Sequence, residues 1–158
     1  MLLKPGAEFF TCEYCSNIFF PEPNQDGVRV FGDADESCSL CSVRLSNASI
    51  VGHRIRYCSR CRGMLVGMGA FTAIVDALRS RRELSGDGAA PPDWHDLDRK
   101  LRCPQCRNVM DTHLYAGPGN VIIDSCETCV LVWLDYGELE RIVRSPDPQI
   151  EELGVRSQ

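Results

Sequence analysis

Ten cysteines carry the chemistry of this chain, and they fall into five Cys-x-x-Cys pairs: Cys12/Cys15, Cys38/Cys41, Cys58/Cys61, Cys103/Cys106 and Cys126/Cys129. Two thiolates three residues apart can turn toward one tetrahedral ion, and two such pairs close a four-sulfur shell that favours zinc. Sixteen residues separate Cys41 from Cys58 and nineteen separate Cys106 from Cys126. Both gaps fall within the roughly 15–20 residues expected between the halves of a zinc site. Cys15 to Cys38 leaves 22 residues and Cys61 to Cys103 leaves 41. Spacing therefore joins Cys38 and Cys41 to Cys58 and Cys61, and Cys103 and Cys106 to Cys126 and Cys129. The expected cofactor is Zn2+, two ions per chain, with a third conceivable at Cys12/Cys15.

The elements that must position these thiols repeat. Cys38-Ser-Leu-Cys41 runs to Tyr57 and Cys58-Ser-Arg-Cys61, then into a helical pattern ending near Leu84. Cys103-Pro-Gln-Cys106 runs to Ser125 and Cys126-Glu-Thr-Cys129, then into a helix ending near Arg144. Beyond the second pair the copies align without a gap, Leu65 on Trp133, Gly69 on Gly137, Phe71 on Leu139, Ile74 on Ile142 and Val75 on Val143. One supersecondary unit is duplicated. Inside each unit a hairpin is predicted, Arg44 to Ile50 with Arg54 to Tyr57, and Val109 to Tyr115 with Val121 to Ser125. A hairpin sets its ends side by side, so the two cysteine pairs of a unit meet. Phe71, Ile74, Val75 and Leu78 recur at helical spacing, as do Leu139, Ile142 and Val143, and both stripes read as packing faces. Asp135 and Glu138 predict a capping box at the second helix, with an acid in the serine position.

Cysteine spacing divides the 158 residues into an N-terminal Cys-x-x-Cys extension (1–36), a first zinc ribbon with its helix (37–84), a Gly/Pro-rich linker (85–100), a second zinc ribbon with its helix (101–145) and a frayed tail (146–158). Units this small sit near the lower limit for a self-sufficient apolar core. Structural zinc, worth about 10–16 kcal/mol near neutral pH, supplies what burial does not. The expected fold class is a small metal-stabilised α+β protein, two tandem zinc ribbons that each carry a β-hairpin and a short C-terminal helix. No run approaches the ~20 apolar residues of a membrane span. The N-terminal residues lack an apolar secretory core, and thiols kept reduced for metal make the expected location cytoplasmic.

Net charge is −5, which argues against a surface that binds nucleic acid throughout. The charge is uneven. Arg44, Arg54, Arg56, Arg60 and Arg62 lie in residues 44–62 with no acid among them, whereas residues 101–158 hold five arginines against nine acids, a balance of −4. Any contact with a polyanion belongs to the first unit, and Arg54 and Arg56 alternate on one strand toward one face, suited to phosphates.

The second unit, from Cys103-Pro-Gln-Cys106 to Cys126-Glu-Thr-Cys129-x3-Trp133-Leu134-Asp135-x-Gly137-Glu138-Leu139, closely resembles the bacterial zinc ribbons of the transcription factor IIB-type zinc-finger family. The first unit is similar in worn form, with Leu65-Val66-Gly67 where the second has Trp-Leu-Asp. The resemblance covers roughly residues 38–80 and 101–145. It implies one zinc held by four cysteines in each unit, and a nucleic-acid role by analogy alone. Val130-Leu131 stands where the family has two glycines, and Ser42 and Arg107 stand where glycine is common. Glycine eases the positive-φ turn of a metal knuckle, a local cost of about 1 kcal/mol that bound zinc outweighs.

Four readings are open for Cys12/Cys15: half of a third zinc site completed by His53, Asp33 or Asp35; a metal shared with the same pair of a second chain, making a homodimer; a redox dithiol; or an idle remnant. His53, His95 and His113 have no helical partner of the protease type, and neither a phosphate loop nor a nucleophile elbow is present, so no enzyme is expected. The expected function is a zinc-binding module with structural metal that binds nucleic acid or a transcription- or translation-associated partner. The alternatives are an acidic protein–protein adaptor, with two rigid ribbons on a flexible linker, and a thiol redox or metal-transfer protein using Cys12/Cys15.

Overall fold

A computed structural model describes residues 2–3, 10–11, 13–19, 21–81, 92–115, 117 and 119–145, with backbone alone at 2–3, 10–11 and 18–19. The candidate donor Cys12, residues 82–91 of the first helix's end and the linker, and the tail from 146 lie outside the described residues.

Short antiparallel strands β1 (Leu2–Leu3), β2 (Phe10–Thr11) and β3 (Ile18–Phe19) form a three-stranded sheet in that order. A second, seven-stranded sheet holds β4 (Arg29–Ser37), β5 (Arg44–Ile50), β6 (His53–Tyr57), β7 (Met64–Gly67), β8 (Asp111–Leu114), β9 (Ile122–Cys126) and β10 (Leu131–Leu134). Its order is β4-β5-β6-β7-β10-β9-β8. The predicted hairpins are β5–β6 and β8–β9. Val51 and Gly52 turn the first with φ of 43° and 81°, the left-handed pair that a two-residue hairpin requires. Helices α1 (Met68–Ser80) and α2 (Glu138–Arg144) follow β7 and β10.

Strands β7 and β10 are where the sequence reading falls short, because it ran the helical pattern on from the second cysteine pair. They pair with each other in antiparallel register, Leu65 opposite Trp133 and Val66 opposite Val132. Leu65 and Trp133 are equivalent positions of the two copies, so an approximate twofold axis passes through that pair. The two units are thus halves of one sheet and not independent bodies on a flexible linker. Four-residue strands alone on a hairpin edge would leave their peptide groups unpaired, and pairing with each other satisfies them.

Side-chain alternation then assigns the two faces. Met64, Val66, Val132 and Leu134 join Ile55, Tyr57, Ile123, Phe71, Ile74, Leu139 and Ile142 in the core beneath both helices. Leu65 and Trp133 join Leu45, Met110 and the cysteines on the opposite face. Arg79, in the last turn of α1, donates to the carbonyls of Ile142 and Ser145, each at 2.7 Å. It satisfies the last turn of α2 and ties the helices together. Residues Trp94–Asp98 form a 3-10 turn capped by Asp93, and lie against β8 and β9.

Candidate metal centres

Each ribbon cysteine sits in a tight loop between paired strand residues. The residue before the first cysteine pairs with the residue three places after the second: Ser37 with Arg44, Tyr57 with Met64, Arg102 with Val109 and Ser125 with Val132. The residue directly after the second cysteine takes left-handed backbone each time, Ser42 at φ 59°, Arg62 at 63°, Arg107 at 68° and Val130 at 56°. Main-chain N–H groups of Leu40 and Cys41 point at Cys38 Sγ from 3.4 Å, and that of Cys61 at Cys58 Sγ from 3.5 Å. Such donors favour thiolate over thiol. The geometry is reached without glycine after any pair.

Two groups of four sulfurs result, Cys38, Cys41, Cys58 and Cys61, and Cys103, Cys106, Cys126 and Cys129, with all donor atoms of a group within 4.8 Å of one another. Cys38 and Cys61 sulfurs are 3.7 Å apart, and those of Cys106 and Cys126 are 3.6 Å apart. A tetrahedron with Zn–S bonds of about 2.3 Å has edges of about 3.8 Å, whereas a disulfide would bring two sulfurs to about 2.05 Å. In each group the first cysteine of each pair is buried and the second half-buried. The donor set, the spacing and the closed burial fit structural zinc, two ions per chain, held by the eight cysteines that sequence spacing selects.

Without metal, four thiols this close do not all ionise. Burial pushes Cys38 and Cys103 up, and it pushes Cys129 up to about 12. Cys58, although buried, is lowered by the N–H groups of Cys61 and Arg60, and the Asn108 N–H draws Cys106 down to about 7. Zinc binding must displace the remaining protons, so affinity falls in acid.

The arginine-rich first unit is less uniform than its sequence. Arg54 and Arg56 do share a face, opposite Ile55 and Tyr57. Arg44 lies on the other face, because its strand neighbours Ala48 and Ile50 pack beneath the helices. Arg56 is bonded to Glu36 at 3.2 Å. Arg62 clasps Asp26 with two nitrogens, and its guanidinium lies 4.1 Å over the ring of Tyr136. Asp26 also accepts from Tyr57 Oη at 2.7 Å. Arg62 holds the Asp26 carboxyl below its usual range, and burial, with Asp26, raises Tyr57 to about 12. Arg44, Arg54 and Arg60 remain with exposed side chains.

Sequence reasoning missed the polar network at the second unit. Arg99 donates to Asp124 at 2.9 Å and Asp135 at 2.6 Å, Thr112 donates to Asp124 at 2.7 Å, and Trp133 Nε1 donates to Asp135 at 3.0 Å. Apart from Trp133 and Asp135, its members are too far apart in sequence to leave a local signal. The capping box forms by half: Glu138 accepts from the Asp135 N–H at 2.8 Å, while Gly137 is the N-cap and the Asp135 carboxylate is occupied by Arg99 and Trp133. His113 is exposed and contacts Ser125 Oγ at 2.9 Å, His95 lies on the 3-10 turn and His53 opens β6. Among the described residues neither these nor Asp33, Asp35 and Cys15 enter a third donor group. No described helix is long and apolar enough to cross a membrane.

No curated protein and no solved structure matches the chain. Residues 102–145, which span both cysteine pairs of the second unit and α2, match the family model described as transcription factor zinc-finger, so that unit is similar to the zinc ribbons of the transcription factor IIB type.

Proposed function

We propose that this chain is a non-catalytic, cytoplasmic binding module in which zinc is purely structural and the first unit meets nucleic acid or a transcription- or translation-associated partner. The observation that carries this reading is the trio Arg44, Arg54 and Arg60, exposed guanidinium groups in residues 44–62, where the other two arginines, Arg56 and Arg62, are held by Glu36 and Asp26. Fixed zinc knuckles supply a rigid platform, and the charges on it favour phosphate contact over base reading. Affinity for single- and double-stranded DNA and RNA, measured against salt, should fall steeply as salt rises. Replacing Arg44, Arg54 and Arg60 together by glutamate should abolish binding while zinc content stays at two per chain. Unchanged affinity in that variant would reject the first unit as the contact.

One feature favours the adaptor reading instead. A cleft of about 720 Å3 opens beside α2, lined by Ile50, Met64, Leu139 and Val143 with Asp26 and Glu140 among its polar groups. Its size suits a small docked side-chain cluster. Recovery of one stoichiometric protein partner that survives nuclease treatment would decide for that reading.

A further inference from the structure

Both sulfur groups lie on one face of the seven-stranded sheet, and their linings are shared. Buried Cys38 and Cys58 of the first site and Cys103 and Cys126 of the second belong to one core with Leu65 and Trp133. The Cys58–Cys61 knuckle runs into β7 and the Cys126–Cys129 knuckle into β10, the strands that join the copies. Each of these loops thus sets the start of a strand that the other unit pairs with.

Direct contacts cross the seam at the knuckles themselves. Ser39, inside the first knuckle, donates its hydroxyl to the carbonyl of Arg102, the residue before Cys103. Arg62, whose left-handed turn closes the second knuckle at φ 63°, lies 4.1 Å over the ring of Tyr136 in the second unit. Gly63, next along, leaves the space that the fully buried indole of Trp133 occupies. A loop whose inward groups are mostly thiols has little apolar surface of its own to order it, so metal sets its conformation. Zinc in the first site therefore fixes the wall against which Trp133 packs and the donor that holds the Arg102 carbonyl. Trp133 follows Cys129 on β10 and Arg102 precedes Cys103, so both effects reach the ligands of the second site.

From these contacts we infer that the two zinc sites are coupled through the seam at Trp133 and Ser39, so that zinc at either site raises the affinity of the other. Coupling of binding free energies is reciprocal, so the second site supports the first to the same degree. The chain passes from empty to full over a narrower range of free zinc than two separate ribbons would. The inference rests on zinc being the metal of both ribbons.

To test it, the full chain, reduced and stripped of metal, is equilibrated in chelator-buffered zinc near half saturation, alkylated rapidly and fragmented intact in a mass spectrometer. Protected thiols then show whether neither, either or both cysteine groups of a molecule hold zinc. The quantity read is the doubly loaded times the empty fraction, divided by the product of the two singly loaded fractions. It equals one for independent sites, however different their affinities. The expected value is about 5–150, the usual range for coupled sites. Trp133→Leu should bring it toward one, and Ser39→Ala, a milder change, should lower it too. A ratio of one or below in the native chain would overturn the proposal, as would a ratio that neither substitution lowers. Zinc protection that misses these eight thiols would overturn the ribbon assignment as well.

Discussion

Trp133 has no exposed surface, and its indole fills the space on the metal side of the sheet where the two copies meet. Gly63 leaves room for it, since a Cβ there would stand 2.4 Å from Cζ2 of that ring. Gly63→Ala should therefore cost about 1–3 kcal/mol through overpacking. Thermal unfolding of Gly63→Ala with and without Trp133→Leu checks the cause, because the penalty should shrink when the ring is gone. Glu138 supplies a pH dependence. Burial, then the nearby Asp135 charge, raises its carboxyl from 4.5 to about 8. The folded protein thus binds a proton that the unfolded chain releases, so this stabilisation is complete below pH 4.5 and is lost as pH rises through about 8. Zinc-loaded protein should lose stability between neutrality and pH 8.5, and Glu138→Gln should flatten that slope. An unchanged slope in the variant would show that Glu138 is already ionised.

At the scale of elements, the knuckle is the unit of construction. Its thiols were legible because their spacing is a local property of the chain. Its backbone was legible only as a question, since the family's glycines are missing at Ser42, Arg107 and Val130. The structure answers it with left-handed turns at ordinary residues, held by flanking strand pairs and by N–H groups aimed at sulfur. Val130 is β-branched, 54 % exposed and at φ 56°, so Val130→Gly should relieve about 1 kcal/mol of strain while sacrificing little packing. The melting temperature of the zinc-loaded variant should rise by roughly 2–4 °C for a domain of this size. Capping of α2 shows the opposite limit. Glu138 takes its expected bond, but Asp135 is drawn away by Arg99, a partner 36 residues distant. Arg99→Ala would leave the buried Asp124 carboxylate short of its cation, and should destabilise the second unit by about 2–3 kcal/mol, read by denaturant unfolding.

At the scale of the whole molecule, the β7–β10 ladder and the shared core beneath α1 and α2 make the two ribbons one cooperative body. Calorimetry of the zinc-loaded chain should give a single transition. Cys106→Ser, which damages the second site alone, should lower that one transition and not split it. Two separated transitions would show that the units fold independently. The chain's residue types and spacings by themselves determined which thiols share a metal, that the unit is duplicated, and where hairpins and helix stripes run, because each depends on neighbours along the chain. Only tertiary structure decided that the copies join edge to edge at Leu65 and Trp133, that Arg56 and Arg62 are neutralised by Glu36 and Asp26, and that buried Asp124 and half-buried Asp135 share Arg99. Those outcomes depend on which groups meet across space, and pairing strands from distant segments satisfies backbone and charge in ways that no local pattern encodes.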